Sequence, residues 1–156
     1  MKKIPPEIIQ FFGEQGCIII STVDAKGRPH SSCKGIVKIS AQGRIYLLDL
    51  YRAATYRNIR KNPKVSITAF DEHRFKGYCL KGRAKIAPIE KLKSDILKAW
   101  EDKIASRITQ RVIRNIRQDK GESRHPEAFL PNPDYMIVVE VGEIVDLTPP
   151  HLREGV

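Results

Sequence analysis

Residues 48–70, "LDLYRAATYRNIRKNPKVSITAF", contain two strand-like apolar runs joined by a short basic segment. The sequence "NPKV" turns the chain into the second run, because proline and asparagine favour turns. Four cationic side chains fall in the connection: Arg52, Arg57, Arg60 and Lys61. Two interpretations stay open: either these residues coat a solvated helix that packs Ile59 inward, or they surround an anion such as a phosphate.

Short β-branched runs with turn signals between them extend in both directions from this segment. We predict strands over 17–23, 28–40, 44–50, 64–70, 75–88 and 135–147. Gly77 and Gly82, inside the fifth run, permit a bulge or the close approach of another backbone. Pro5 and Pro6 suit the start of a short amphipathic helix that ends near Gly13 or Gly16. The order of elements indicates a mainly β, α+β fold: a small antiparallel barrel.

Residues 89–117 show helical periodicity, since apolar side chains from Ile89 to Ile116 recur every three or four residues. The pattern fits one long helix, or two helices with a bend near 103–106. Arginines occupy a neighbouring face of it: Arg107, Arg111, Arg114 and Arg117. They are typical either of an anion or nucleic-acid surface or of a solvated or dimer-facing helix. We favour the second, because no DNA-reading motif or stacking aromatic accompanies them. The segment 118–134 has loop composition.

The bulk composition limits the class of protein. A chain of 156 residues with a net charge of +10 predicts one domain and anionic ligands, or simply a soluble surface. No apolar run reaches the roughly 20 residues that span a bilayer, so we expect a cytoplasmic protein with no membrane contact. Cys17, Cys33 and Cys79 lie far apart in the sequence and predict neither a disulfide framework nor a zinc site. The four histidines show no metal-ligand spacing, and we expect no metal.

The residues of the basic connection could build a phosphate pocket without a glycine-rich loop. The Thr55 hydroxyl can bond a phosphate oxygen, and Arg52 and Arg57 can supply charge-assisted hydrogen bonds. The start of a small helix after Leu50 adds unpaired backbone N–H groups and the positive end of its dipole. We expect Arg60 and Lys61 to face water beyond this pocket.

Three segments together resemble the pyridoxamine 5'-phosphate oxidase-like family of flavin-binding split barrels. They read "GCIIISTVDAKGRPHSSCKGIVKI", "RIYLLDLYRAATYRNIRKNPKVSITAF" and "GYCLKGRAKI", within residues 1–90, and the strand at 135–147 also fits. The most specific part is the pattern T-x-x-N-I-x-x-N-P-x-V-S, from Thr55 to Ser66. The resemblance implies one flavin-binding domain over 1–156, with a helical insertion at about 89–117. It also implies a six-stranded split barrel that forms a homodimer, with FMN at the subunit interface.

The resemblance also implies which residues contact FMN. The strand along the ring and ribityl chain corresponds to Ser31, Ser32, Cys33 and Lys34. The end of the next strand, which also faces the flavin, corresponds to Leu48, Asp49 and Leu50. The phosphate site corresponds to Arg52, Thr55, Tyr56 and Arg57.

The chain departs from the family pattern at two places. Ala53 and Ala54 stand where many members have an Arg-Lys or Ser-x-Lys pair, so the missing charge is expected from Arg52, Arg57 or Lys34. No C-terminal Arg-x-His element was found, so pyridoxamine-phosphate oxidase activity itself is not expected. We leave the catalytic residues unassigned, with Lys34 as a hypothetical stabiliser of reduced flavin. Cys33 could be a redox thiol, but we favour a small buried residue.

Two classes of function remain. The first is an FMN-dependent oxidoreductase that acts on an unidentified small molecule. The second is a non-enzymatic protein that binds flavin, another anionic ligand or nucleic acid on the same barrel. Haem handling is less expected, because no histidine stands in an obvious ligand setting.

Overall fold

A computed structural model describes residues 1–118 and 133–153. Six strands close into an antiparallel barrel in the order β1-β2-β3-β6-β5-β4, which confirms the predicted α+β barrel. The strands are β1 Ile18–Val23, β2 Pro29–Ser40, β3 Arg44–Leu48, β4 Lys64–Asp71, β5 Lys76–Pro88 and β6 Tyr135–Asp146. The helices are α1 Pro6–Glu14, α2 Ala54–Lys61 and α3 Ser94–Gln118. Among the described residues, none of the helices has the length and apolar character needed to cross a membrane.

The barrel interior follows from the alternation of apolar residues along the strands. In β1 the side chains of Ile18 and Ile20 are buried, whereas Ile19 between them is exposed. In β4 the buried residues are Val65, Ile67 and Ala69. Since successive strand residues point to opposite faces, this alternation fixes which side of each strand faces the core. Each fully buried Ile or Val stabilises the fold by about 1.5–3 kcal/mol.

Helix α1 closes one end of the barrel. Its buried residues Ile8, Phe11 and Phe12 join the core, and Phe11 packs edge-to-face on Tyr78 of β5 with ring centroids 5.2 Å apart. The helix ends at Glu14, between the two glycines that were predicted to stop it. The predicted amphipathic helix is therefore confirmed, with its apolar face on the barrel.

Gly82 lies where β5 and β6 shift register, between Lys81 and Gly82. A Cβ atom there would lie 2.1 Å from the carbonyl oxygen of Glu140, which is backbone of the paired strand. Gly77 is similarly crowded, since its Cβ would lie 2.5 Å from the Phe70 ring. The predicted bulge and close backbone approach are both present in β5.

Helix α3 begins later than the periodicity predicted. Residues Ile89–Lys91 form a 3₁₀ turn instead, in which the Ile89 N–H donates to the Asp134 carbonyl, 3.0 Å away. From Ser94 onward the helix is continuous, so the alternative with a break near 103–106 is wrong. Its Lys103 donates to the Ile36 carbonyl of β2, and Arg107 donates to the Gly16 carbonyl in the connection between α1 and β1. The side chains of Arg111, Arg114 and Arg117, and most of the predicted loop 118–134, lie outside the described residues.

Candidate functional site

Helix α2 packs on the outside of the barrel and presents a basic face to solvent. Its inward residues Thr55, Asn58 and Ile59 are buried. The Asn58 side-chain amide donates to the Thr22 hydroxyl of β1 at 3.0 Å, which fixes the helix to the barrel. Because Ile59 packs inward, the remaining positions carry the cationic side chains of the helix outward. The inward packing of Ile59 and the anion-binding interpretation are therefore compatible.

The N-terminus of α2 lacks a side-chain cap. Ala53 occupies the N-cap position, no side chain bonds the first N–H groups, and the first turn contains no acidic residue. The first backbone N–H groups of a helix have no partner within the helix, and they carry the positive end of its dipole. The first turn of α2 can therefore donate hydrogen bonds to an anionic ligand.

A cavity of about 640 Å³ lies between α2, along its whole length, and the β1–β2 connection. Four cationic side chains and one carboxylate are among its lining residues: Asp24, Ala25, Lys26, Arg28, Pro29, His30, Ala54, Arg57, Asn58 and Lys61. The cavity therefore has a positive potential where the open end of α2 meets it.

The single carboxylate of the cavity is already neutralised. Arg28 donates from its backbone N–H and from its guanidinium to the two oxygens of Asp24, at 2.9 and 2.8 Å. These hydrogen bonds hold the pKa of Asp24 below its usual value, and the backbone hydrogen bond has the larger effect. The other three cations of the cavity, Lys26, Arg57 and Lys61, form no ion pair within residues 1–118 and 133–153. Three cations are thus available to a ligand phosphate.

The predicted phosphate residues separate in the structure. Arg57 lines the cavity, but Arg52 does not: its guanidinium lies 3.6 Å from Asp134 and 5.8 Å from the ring centroids of Tyr56 and Tyr135. Thr55 is buried, and its hydroxyl pairs with that of Ser32 at 2.8 Å. Tyr56 packs on Tyr135 with ring centroids 5.0 Å apart. Of these four residues, Arg57 is the one placed to contact a ligand in the cavity.

The strand residues Ser31 to Lys34 divide between the two faces of β2. Ser31 and Cys33 are exposed, whereas Ser32 and Lys34 are half-buried. The interpretation of Cys33 as a buried residue is therefore wrong, because its position in the alternation of β2 turns it outward. Of the residues that follow on β3, Leu48 lies beside Trp100 and Lys103 of α3, and Leu50 is half-buried.

Lys34 and Asp49 form a buried ion pair that the sequence did not indicate. The Lys34 ammonium lies 2.6 Å from one oxygen of Asp49, and the Tyr135 hydroxyl donates to the other at 2.7 Å. Asp49 is only 2% exposed. The pKa of the Tyr135 phenol is raised, mainly by burial and secondly by its hydrogen bond to Asp49. The charge of Lys34 is compensated within the protein, which weakens the hypothesis that it stabilises reduced flavin.

Sequence reasoning missed several residues of the cavity. Lys26, Arg28 and His30 come from the "DAKGRPH" hairpin, to which no site residue was assigned from the sequence. Lys61 was expected to face water; it is exposed, as expected, and it also lines the cavity. The sequence signal that could have indicated these residues was the density of basic side chains in the hairpin. It is a weak signal, because charged turns are common on protein surfaces.

The six-stranded closed barrel with α2 across β1, β2 and β5 defines a split-barrel protein. The family model described as pyridoxamine 5'-phosphate oxidase matches residues 4–130, and the chain belongs to that family. A search of curated proteins found no match to the chain.

Solved structures with similar folds carry differing descriptions. HupZ of Group A Streptococcus is 20% identical, with a TM-score of 0.65, and the alignment covers 93% of this chain and 94% of that one. A putative pyridoxamine 5'-phosphate oxidase of Lactobacillus delbrueckii is 17% identical, with a TM-score of 0.62 and coverages of 93% and 95%. HutZ of Vibrio cholerae, described as a heme storage protein, is 24% identical, with a TM-score of 0.53 and coverages of 93% and 94%. At these identities the likeness concerns the fold.

Proposed function

We propose that the protein binds FMN, with the 5'-phosphate in the basic cavity at the start of α2. The observation that carries this proposal is an uncapped helix N-terminus at a cavity lined by three cations that form no ion pair within the described residues: Lys26, Arg57 and Lys61. Phosphate accepts hydrogen bonds from helix N–H groups and charge-assisted bonds from arginine and lysine. The donors present therefore fit a phosphate monoester better than a neutral ligand.

The activity that we propose is oxidation or reduction of a small molecule. FMN, when bound, supplies hydride transfer at its ring, and the protein's part is to bind and orient it. In this chain Arg57, Lys26 and Lys61 would hold the phosphate. The buried pair of Ser32 and Thr55 would keep β2 and α2 at a fixed separation beside it. A non-enzymatic FMN-binding protein remains the alternative on the same site.

We further propose that the protein is a homodimer and that a second copy completes the flavin site. Among the described residues, those that line the cavity include no Phe, Tyr or Trp and no large aliphatic side chain. An isoalloxazine ring binds against apolar surface. In this proposal the second copy of the chain supplies that surface.

Light scattering after size exclusion is expected to give twice the chain mass of 17.8 kDa. Denaturation should then release one FMN per chain. A monomer of 17.8 kDa that binds FMN at full stoichiometry would contradict the dimeric site.

Titration of the flavin-free protein, followed by quenching of flavin fluorescence, tests the cofactor. We expect FMN to bind at least about ten-fold more tightly than riboflavin, because only FMN carries the phosphate. The difference should shrink as salt is raised, since exposed charges are screened. Equal affinities, or no quenching by FMN, would contradict the proposal.

Haem is the second candidate ligand, because half-buried His30 lines the same cavity and imidazole binds haem iron. The same titration with hemin separates the two ligands. A Soret band that shifts at stoichiometric hemin, in protein that ignores FMN, would favour haem.

A further inference from the structure

Cys17 and Cys33 form a pair of neighbouring thiols on the barrel exterior. Their sulfur atoms lie 3.9 Å apart, and both residues are exposed. The two cysteines lie far apart in the sequence, and their spacing did not predict this proximity, which arises because the β1–β2 hairpin brings the two segments together. Cys79 lies on β5, opposite Thr68 and Val145, and is half-buried.

We propose that Cys17 and Cys33 are a dithiol modification site that a hydroperoxide oxidises to an intramolecular disulfide. The two sulfur atoms must approach to about 2.05 Å for the bond to form. Cys33 is held in the ladder opposite Ile19, whereas Cys17 precedes the first residue of β1. The chain at Cys17 is thus outside the ladder, and a small displacement there closes the gap.

The hydrogen bond between the thiols assigns their roles. The Cys33 S–H donates to the Cys17 sulfur, and this bond, followed by burial, raises the pKa of Cys33. Because the thiolate is the nucleophile and Cys17 lies outside the strand ladder, where the chain can move toward the oxidant, we assign the first attack to Cys17 and the second to Cys33.

The reaction has two balanced steps. In the first, the Cys17 thiolate attacks one oxygen of the hydroperoxide: an S–O bond forms, the O–O bond breaks, and the other oxygen leaves as water or an alcohol after it takes up a proton. In the second, the Cys33 sulfur attacks the Cys17 sulfenic acid: the S–S bond forms, the S–O bond breaks, and the Cys33 proton leaves with the hydroxyl as water. The two thiols lose two electrons, and the hydroperoxide gains them.

Thiol counting on the purified full-length chain treated with hydrogen peroxide tests the proposal. We expect the number of thiols, measured after unfolding, to fall from three to one, and dithiothreitol to restore three. After tryptic digestion without reduction, residues 4–26 and 27–34 should appear as one linked species. This outcome depends only on the thiol pair and not on whether FMN binds.

Two variants complete the experiment. Cys79→Ser should still lose two thiols, whereas Cys17→Ser should give no linked peptides and should keep the Cys33 thiol for longer. Thiol loss in Cys17→Ser at the wild-type rate would overturn the proposal. A disulfide between two copies on a non-reducing gel, or three thiols that survive the treatment of the folded protein, would also overturn it.

Discussion

The Arg57→Ala variant is expected to bind FMN about ten- to one hundred-fold more weakly than the wild type, with riboflavin binding nearly unchanged. Arg57 lines the cavity beside the open end of α2, and no carboxylate among the described residues neutralises it. A hydrogen bond to a charged group contributes about 1.5–3 kcal/mol, which corresponds to this range. Fluorescence titrations with FMN and with riboflavin, at the same salt concentration, measure the two affinities.

Arg60→Ala is the matched control for this prediction. Arg60 has the same side chain on the same helix, but it lies 5.7 Å from the Tyr56 ring centroid and does not line the cavity. Arg60→Ala removes one positive charge, as Arg57→Ala does, so any long-range electrostatic effect is shared by the two variants. Equal losses of FMN affinity would show that only overall charge matters. Equal losses of FMN and riboflavin affinity in Arg57→Ala would place the phosphate elsewhere.

The strands could be predicted from the sequence because their information is local. The β-branched run Ile18–Val23, followed by a turn signal, assigns the element, but its three consecutive isoleucines do not show which of them face inward. The start of α3 could not be predicted in the same way. Ile89 and Leu92 have helical spacing, yet Ile89 pairs with the Asp134 backbone in the 3₁₀ turn that follows β5, and Leu92 is the extended residue that ends this turn. Periodicity alone does not distinguish such a turn from a first helical turn.

The site could be predicted only in part, because its contacts join distant segments. The motif after Leu50 located α2 and Arg57, but the cations opposite it come from a hairpin about thirty residues earlier. Arg52 was an equally good candidate by sequence. It is drawn away by Asp134 and by the ring of Tyr135, which are distant in the chain. Residue type and spacing do not encode such long-range partners.

Asp49→Ala is expected to lower the free energy of unfolding by about 3–5 kcal/mol, which is the usual effect of removing one partner of a buried ion pair. The side chain of Asp49 is 0% exposed, and that of Lys34 is 14% exposed. The substitution leaves the Lys34 ammonium without its counter-ion and the Tyr135 hydroxyl without its acceptor. Urea unfolding at neutral pH, followed by tryptophan fluorescence and circular dichroism, measures the change.

The Asp95→Ala variant tests whether the loss of stability in Asp49→Ala comes from burial of the ion pair or from ion pairing alone. The distance from Asp95 to Lys38 is also 2.6 Å, but these side chains are 54% and 37% exposed. Water solvates both partners there, so we expect a much smaller loss than for Asp49→Ala. In the buried site, Lys34→Met combined with Asp49→Ala should recover part of the loss, because it removes the uncompensated charge. If Asp49→Ala and Asp95→Ala destabilise the protein equally, burial of the Lys34–Asp49 pair adds nothing to its contribution to stability.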